Sequence, residues 1–189
     1  YKSREQGALS RVNHEVMERI SAPVKGAVDA KVTVVEFFDP ACGACSHFYP
    51  ITTQLIKKYP GKIRVMLRYA PLHQGSKQVV KMLEAAHSQG KFWQALELLF
   101  DNQQNWVIDH VSQPMRALAL LNALGIDREK LAEDMNSAEI AKRVQKDIDD
   151  GRAINVRATP EFYVNGRPLP SFGAKQLFLM VDEAVSDLY

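Results

Sequence analysis

Val-Glu-Phe-Phe-Asp-Pro-Ala-Cys-Gly-Ala-Cys, residues 35–45, decides the fold because it runs from a buried strand into the start of a helix. The strand, predicted over 31–38, is apolar on both alternations, which is typical of a central strand covered on both faces. Apolar side chains then recur at helical spacing from about 44 to 59, where a Pro-Gly pair ends the helix. A second strand over 62–69 completes a βαβ unit whose two strands we expect to be parallel.

The chain has two cysteines, and both lie in one Cys-x-x-Cys motif, Cys42-Gly-Ala-Cys45. A disulfide across so short a loop removes little unfolded-state entropy, so the pair indicates chemistry rather than stability. Cys42 falls at the start of the helix, where unpaired backbone N–H groups favour a thiolate and cysteine pKa values of roughly 3.5–7.5 are found. We therefore predict that Cys42 is the attacking nucleophile and that Cys45 resolves the mixed disulfide.

Two other interpretations of the cysteine pair have less support in the sequence. Half a zinc site would need further Cys or His ligands at suitable spacing. The sequence has no third cysteine, and we expect no metal at the pair because the histidines are scattered, at positions 14, 47, 73, 87 and 110. Two unrelated buried cysteines would be the plainest alternative, and the flanking strand and helix argue against it.

Glu36 interrupts the otherwise apolar first strand six residues before Cys42. Burial of a carboxyl raises its pKa, so that it carries a proton near neutral pH. We predict that Glu36 lies beneath the cysteines and accepts the proton that Cys45 must lose before it attacks. The alternative is an ion pair with Arg64 or Arg68 on the adjacent strand, and the two interpretations can coexist.

Residues 75–155 are predicted to be wholly helical, with side-chain caps or helix starts at Ser76, Ser112, Asp127 and Ser137. A strand over 161–164, an Asn-Gly hairpin turn, a partner strand and a closing helix over 174–188 follow. The order of elements predicts an α/β fold in which a helical insertion, 75–155, separates an N-terminal βαβ unit from a C-terminal ββα unit. The core domain then consists of 27–74 and 156–189.

Residues 1–26 are predicted to form an N-terminal helix and a turn-rich lead-in. Leu9, Val12, Val16 and Ile20 recur at helical spacing, so the helix over 1–21 should be amphipathic. It packs on the domain, pairs with a second chain or continues from an anchor, and so short a segment leaves these alternatives open. Because the chain begins with Tyr1 rather than Met, we expect a processed or trimmed form, and any signal peptide or anchor would lie before this sequence.

Charge and hydropathy exclude some classes of partner. The 24 basic and 22 acidic residues nearly balance, so no electrostatic argument favours nucleic acid. No apolar run approaches the ~18 residues that a membrane-spanning helix needs.

Two separated segments carry a family resemblance. Residues 35–45 resemble the active-site segment of the DsbA-like branch of the thioredoxin superfamily, and Pro50 resembles the proline that kinks the following helix. Ala-Thr-Pro-Glu-Phe-Tyr-Val-Asn-Gly, residues 158–166, resembles the cis-proline loop of that family. The resemblance covers about 30–188 and implies a thioredoxin-like fold with a helical insertion. It also implies that Pro160 is cis and that the backbone of Thr159 pairs with an extended substrate beside Cys42.

The resemblance implies a protein thiol:disulfide oxidoreductase of the bacterial periplasm or cell envelope. Its redox centre would be the cysteine pair itself, without another cofactor, and a redox partner would reset it. Ala44 stands where strong oxidases of the family carry histidine, and Asp39-Pro40-Ala41 replaces the thioredoxin tryptophan, so the direction of electron flow stays open.

Two alternatives remain at this point. One is a disulfide isomerase or reductase that rests with reduced thiols and dimerises through its N-terminal helix. The other is a redox-passive binding module, such as a carrier that holds Cu(I) between the two thiolates. Both would use the same fold.

Overall fold

A computed structural model describes residues 14–189 of the chain. Its strands are β1 (Val24–Gly26), β2 (Val32–Phe38), β3 (Ile63–Tyr69), β4 (Val107–Ile108), β5 (Val111–Ser112), β6 (Glu161–Val164) and β7 (Arg167–Pro168). Its helices are α1 (His14–Met17), α2 (Gly43–Lys58), α3 (Ser76–Ser88), α4 (Phe92–Asp101), α5 (Gln103–Trp106), α6 (Pro114–Leu121), α7 (Arg128–Met135), α8 (Ala138–Ala153) and α9 (Ala174–Leu188). A 3-10 turn, Asn122–Leu124, follows α6.

A five-stranded sheet in the order β1-β3-β2-β6-β7 forms the centre of the molecule. Strands β2 and β3 are parallel, as the βαβ prediction required, and β6 pairs with β2 in the antiparallel sense. All seven residues of β2 are buried, so the prediction of a central strand covered on both faces is confirmed. Because β2 is paired on both sides, the sheet fixes the position of its C-terminal end, from which the chain leads into the cysteine motif.

The two faces of β2 contribute to different parts of the core. Val34 and Phe38 pack into the larger cluster, which also contains Cys45 and most of the apolar side chains of the insertion. Val35 and Phe37 pack into a smaller cluster on the opposite face. Glu36 lies between these neighbours on the strand and, by alternation, shares the face of Val34 and Phe38. The sheet therefore directs Glu36 toward the side on which Cys45 is buried.

Two elements of the sequence-based prediction were wrong in detail. Strand β1 lies in the segment predicted as a turn-rich lead-in, where Val24 pairs with Met66 of β3. The insertion also contains a short hairpin, β4–β5, so it is not wholly helical. Such short strands are set by pairing with neighbours and leave little periodicity in the sequence.

The predicted helix caps had mixed outcomes. Asp127 and Ser137 accept hydrogen bonds from the third backbone N–H of their helices, as predicted. Ser76 is not a cap, because the N-cap of α3 is Gly75 in the left-handed conformation, with φ of 83°. The Ser76 hydroxyl instead donates to the buried carboxylate of Asp39. Ser112 lies in β5 and opens no helix.

The predicted amphipathic helix over 1–21 lies partly outside the described residues, and so do Leu9 and Val12. In the part that the structure describes, the helix ends at Met17, and the side chain of Ile20 beyond it is fully exposed rather than on a buried face. Met17 and Arg19 are the buried residues of this segment. The apolar spacing was misleading because the buried side chain of Arg19, next to Ile20 in the sequence, attaches this segment to the rest of the protein.

Arg19 joins a buried ionic cluster that ties the N-terminal segment to the insertion. Its guanidinium contacts Asp147 at 2.9 Å and Glu84 at 3.0 Å, and Arg68 contacts the same Asp147 oxygen at 2.6 Å. All four side chains are 4% exposed or less. Buried charges of this kind are tolerated because each has partners of opposite sign.

Candidate active site

Cys42 is the N-cap residue of α2, and its backbone is extended, with φ of −80° and ψ of 123°. A hydrogen bond from the Cys45 thiol is the largest of the effects that together lower the pKa of Cys42 to about 5. Hydrogen bonds from Thr159 and from the backbone at Ala44 and Cys45 act in the same direction, against partial burial. The Cys42 sulfur is therefore a thiolate at neutral pH.

Cys45 has the opposite environment. Its side chain is fully buried, and burial is the largest cause that raises the pKa of its thiol far above the usual range. The hydrogen bond to Cys42 and the charge of Glu36 act in the same direction. Cys45 consequently keeps its proton at neutral pH and needs a nearby base before it can act as a nucleophile.

Glu36 is 4% exposed, and burial raises its pKa to about 8, with the negative charge of Cys42 as a second cause. At pH 7 most of the population is therefore protonated. The carboxyl lies near enough to both cysteines to influence Cys45 and to be influenced by Cys42. The structure brings the predicted residues Glu36, Cys42 and Cys45 together.

The alternative ion pair of Glu36 with Arg64 or Arg68 does not form. In the parallel register, Arg64 pairs with Thr33 and Arg68 with Phe37, whereas Glu36 pairs with Leu67. Both arginines therefore point to the opposite face of the sheet. There Arg64 contacts Glu18 at 2.8 Å, and Arg68 contacts Asp147.

The loop before β6 comes within hydrogen-bond distance of the first cysteine. The Cys42 Sγ lies 3.4 Å from the backbone oxygen of Thr159, although 117 residues separate the two in sequence. The peptide bond between Thr159 and Pro160 is cis. Antiparallel pairing of β6 with β2 carries this loop to the cysteine motif, so Thr159 and Pro160 join the same site.

An apolar groove of about 360 Å³ opens beside Thr159 and Pro160. Its walls also include Ala44 at the start of α2 and Phe172, whose ring packs 5.1 Å from that of Phe48 and is 60% exposed. Phe172 was not singled out from the sequence. The one local feature that could have indicated it is an aromatic residue within the Pro-Ser-Phe-Gly loop before α9.

Asp39, directly after β2, organises the loop that carries the cysteines. Its carboxylate is fully buried and accepts from the backbone N–H of Ala41 at 2.9 Å, from the hydroxyl of Ser76 at 2.8 Å and from the backbone N–H of His73 at 2.9 Å. In the sequence, Asp39 stands out only as part of the segment that replaces the thioredoxin tryptophan. Its role as a junction between the loop that carries the cysteines and the segment that leads into α3 depends on contacts that no local pattern reveals.

Asp39→Asn is expected to lower the free energy of unfolding by about 2 kcal/mol. The substitution replaces one carboxylate oxygen with an NH₂ group, which then faces an N–H or O–H donor and cannot accept its hydrogen bond. Urea unfolding of the reduced protein measures this effect. Asp29→Asn, the same change at an exposed position, is the matched control and should leave stability unchanged. Equal stability of the two variants would contradict the proposed junction.

Across the described part of the chain, no group of three or more His, Cys, Asp or Glu side chains is arranged to hold a metal ion. The same residues include no helix with the length and apolar character needed to cross a membrane.

A sequence profile described as thioredoxin matches residues 18–182. The chain belongs to the thioredoxin family. Disulfide bond formation protein D of Bacillus subtilis (strain 168) is 30% identical over 158 residues, which are 79% of this chain and 70% of that protein. The crystal structure of oxidised BdbD from Bacillus subtilis superimposes with a TM-score of 0.73 at 28% identity, covering 88% of this chain and 94% of that one.

A DsbA structure shares the fold of this thioredoxin-family chain over most of its length. Alpha-DsbA1 of Wolbachia pipientis superimposes with a TM-score of 0.78 at 15% identity, covering 93% of this chain and 96% of that one. The predicted thioredoxin-like fold and the resemblance to the DsbA-like branch are thereby confirmed.

Longer proteins contain a related segment. The Na(+)/H(+) antiporter NhaA of Herminiimonas arsenicoxydans is 30% identical over 146 residues, which are 77% of this chain. The chain spans 22% of the length of that antiporter.

Proposed function

We propose that the protein is a thiol–disulfide oxidoreductase that donates a disulfide to cysteines of other proteins. The observation that carries this proposal is the setting of Cys42 at the start of α2, where hydrogen bonds lower its pKa to about 5. A stabilised thiolate favours the reduced form of the pair, and a pair that favours its reduced form is a stronger oxidant. The electron flow would then run from substrate to protein.

In the proposed reaction, a substrate thiolate attacks the Cys42 sulfur of the Cys42–Cys45 disulfide. A mixed disulfide forms, the bond between the two protein sulfurs breaks, and Cys45 takes up a proton from Glu36. A second substrate thiolate then attacks the substrate sulfur of the mixed disulfide and releases Cys42 as a thiolate. Two electrons have moved from the substrate dithiol to the cysteine pair.

Resetting runs through the same groups. The Cys42 thiolate attacks a disulfide of the redox partner, and one partner sulfur leaves. The Glu36 carboxylate then accepts the proton of Cys45, whose sulfur attacks the Cys42 sulfur of the mixed disulfide. The bond from Cys42 to the partner breaks, the second partner sulfur leaves as a thiolate, and the internal disulfide is restored. Glu36 suits both directions because its pKa of about 8 lies near neutral pH.

Substrate binding is assigned to the loop and groove beside Cys42. The backbone of Thr159 faces the sulfur, so an extended peptide can pair with it as an added strand. The neighbouring apolar groove, with Pro160 and Phe172 in its walls, is suited to an apolar side chain of that peptide. These positions support proteins with thiols as the substrate class.

An oxidising compartment such as the bacterial periplasm or cell envelope is the proposed site of action, because disulfides formed there persist. The name of the Bacillus subtilis relative, disulfide bond formation protein D, supports a role in making disulfides. A redox partner that reoxidises the pair is part of the proposal.

Oxidation of a reduced two-cysteine peptide in a glutathione buffer tests the function. We expect the oxidised protein to form the peptide disulfide stoichiometrically, and to turn over when oxidised glutathione is supplied. The equilibrium with glutathione gives the reduction potential of the pair. We expect a value nearer to that of strong oxidants, about −120 mV, than to that of thioredoxin, about −270 mV. A thioredoxin-like value would favour the reductase or isomerase alternative, and tight Cu(I) binding without turnover would favour the carrier alternative.

A further inference from the structure

We propose that Gln103 is a positioning residue for Cys42: its side-chain amide, presented by the helical insertion, fixes the peptide groups around this cysteine and thereby sets its reactivity. This inference rests on the proposed thiol–disulfide chemistry of the same site. It assigns to the insertion a part in the chemistry that the sequence did not indicate.

The contact consists of two hydrogen bonds from one nitrogen atom. The Nε2 of Gln103 donates to the backbone oxygen of Pro40 at 2.9 Å and to that of Cys42 at 3.0 Å. A primary amide has two N–H groups, so both are used. The two carbonyl groups lie on either side of Ala41, in the turn that leads into α2.

Gln103 is itself held in place. It is the first residue of α5, whose last residue, Trp106, is fully buried and donates from its indole to the backbone oxygen of Leu99 at 2.8 Å. The backbone oxygen of Trp106 in turn accepts from Gln113 at 2.7 Å. The amide is therefore presented from an anchored part of the insertion rather than from a free loop end.

The hydrogen bonds complete the fixation of the peptide groups next to Cys42. The Cys42 N–H donates to the backbone oxygen of Asp39 at 3.0 Å, and its C=O accepts from Ser46 within α2 as well as from Gln103. With both peptide groups held, the sulfur stays aligned with the N–H groups at the start of the helix. Loss of the amide would leave the Pro40 oxygen without this partner and let the turn relax away from that alignment.

Gln103 is uncharged, so its contribution to the ionisation of Cys42 can be separated from the contributions of charged groups. The titratable groups that influence or are influenced by Cys42 are Cys45 on α2 and Glu36 on β2. An uncharged substitution at position 103 leaves both in place. Any change in thiol ionisation then reports on the geometry of the turn and on the lost amide dipoles.

The test compares Gln103→Met, which keeps length and removes both donors, with Gln104→Ala at the exposed neighbouring position. Thiolate absorbance at 240 nm gives the Cys42 pKa, and the glutathione equilibrium and urea unfolding are measured on the same samples. We expect Gln103→Met to raise the Cys42 pKa by about one unit and to make the pair less oxidising by a factor of up to about ten. Gln104→Ala should match the unsubstituted protein.

Gln103→Leu gives a second result because an apolar side chain of similar size donates nothing to the two carbonyl groups and adds no charge beside Cys42. It should raise the Cys42 pKa as much as Gln103→Met. If both variants keep the original Cys42 pKa and glutathione equilibrium, whatever their stability, Gln103 is merely structural and the proposal is overturned. Failure of the unsubstituted protein to oxidise the peptide would instead overturn the proposed function.

Discussion

Cys42→Ser is expected to reduce peptide oxidation to the background rate, a loss of at least roughly 10³-fold. A serine hydroxyl forms no disulfide and is not ionised at neutral pH, so the chemistry has no first step. The measurement is initial-rate oxidation of the two-cysteine peptide, with circular dichroism to show that the variant is folded.

Cys45→Ser is the matched control for this loss. It keeps the reactive thiolate at position 42 and removes the sulfur that resolves the mixed disulfide. We expect it to accumulate a covalent complex with a disulfide-bearing peptide, visible on a non-reducing gel and absent with Cys42→Ser. Trapping at Cys45 in the Cys42→Ser variant would reverse the assigned roles.

Glu36→Gln is expected to slow the attack of Cys45 on the mixed disulfide by about 10²-fold at pH 7. Glutamine preserves the size of the side chain and cannot accept the proton, and Cys45 is fully buried. Stopped-flow release of a fluorescent peptide from the mixed disulfide measures this step. With Glu36 present, the rate should rise with pH as the carboxyl, whose pKa is raised by burial, becomes ionised, and this inflection should vanish in Glu36→Gln.

Glu36→Gln should also change how the free energy of unfolding depends on pH. The pKa of Glu36 is raised from 4.5 to about 8 on folding, so its stabilising contribution is full below 4.5 and is lost as the pH rises through 8. Cys42 acts in the opposite sense, since its lowered pKa stabilises the reduced protein at high pH and this contribution is lost as the pH falls through about 5. The unsubstituted protein and Glu36→Gln both contain Cys42, so the difference between their free energies of unfolding reports the contribution of the Glu36 carboxyl.

Urea unfolding of the reduced proteins at pH 5, 6, 7 and 8 checks this linkage. Relative to Glu36→Gln, the unsubstituted protein should lose stability steadily across the series. Glu133→Gln, at an exposed position on α7, should follow the unsubstituted protein at every pH. Parallel curves for Glu36→Gln and the unsubstituted protein would mean that the carboxyl is ionised throughout.

Local patterns were sufficient to predict the elements that form the core of the fold. Strand β2, helix α9 and the caps Asp127 and Ser137 are each encoded within a few consecutive residues, by apolar periodicity or by a side chain that reaches its own helix. Strand β1 was missed because its three residues are extended only through pairing with β3.

The residues of the candidate site likewise fall into those that the sequence indicated and those that it did not. The motif and the interrupted strand indicated Cys42, Cys45 and Glu36, and the resemblance indicated Thr159 and Pro160. The arginine alternative was wrong because neighbouring parallel strands were considered without the register, which sends Arg64 and Arg68 to the other face. Gln103 was missed because its partners lie 61 and 63 residues away, and no periodicity links them.

Titration of thiolate absorbance in the reduced protein tests the central claim most directly, with Cys42→Ser as the reference. The account predicts a single ionisation with a pKa of about 5 that disappears in Cys42→Ser, because Cys45 stays protonated. A first ionisation near 8.5, the value of an unperturbed cysteine, would contradict it.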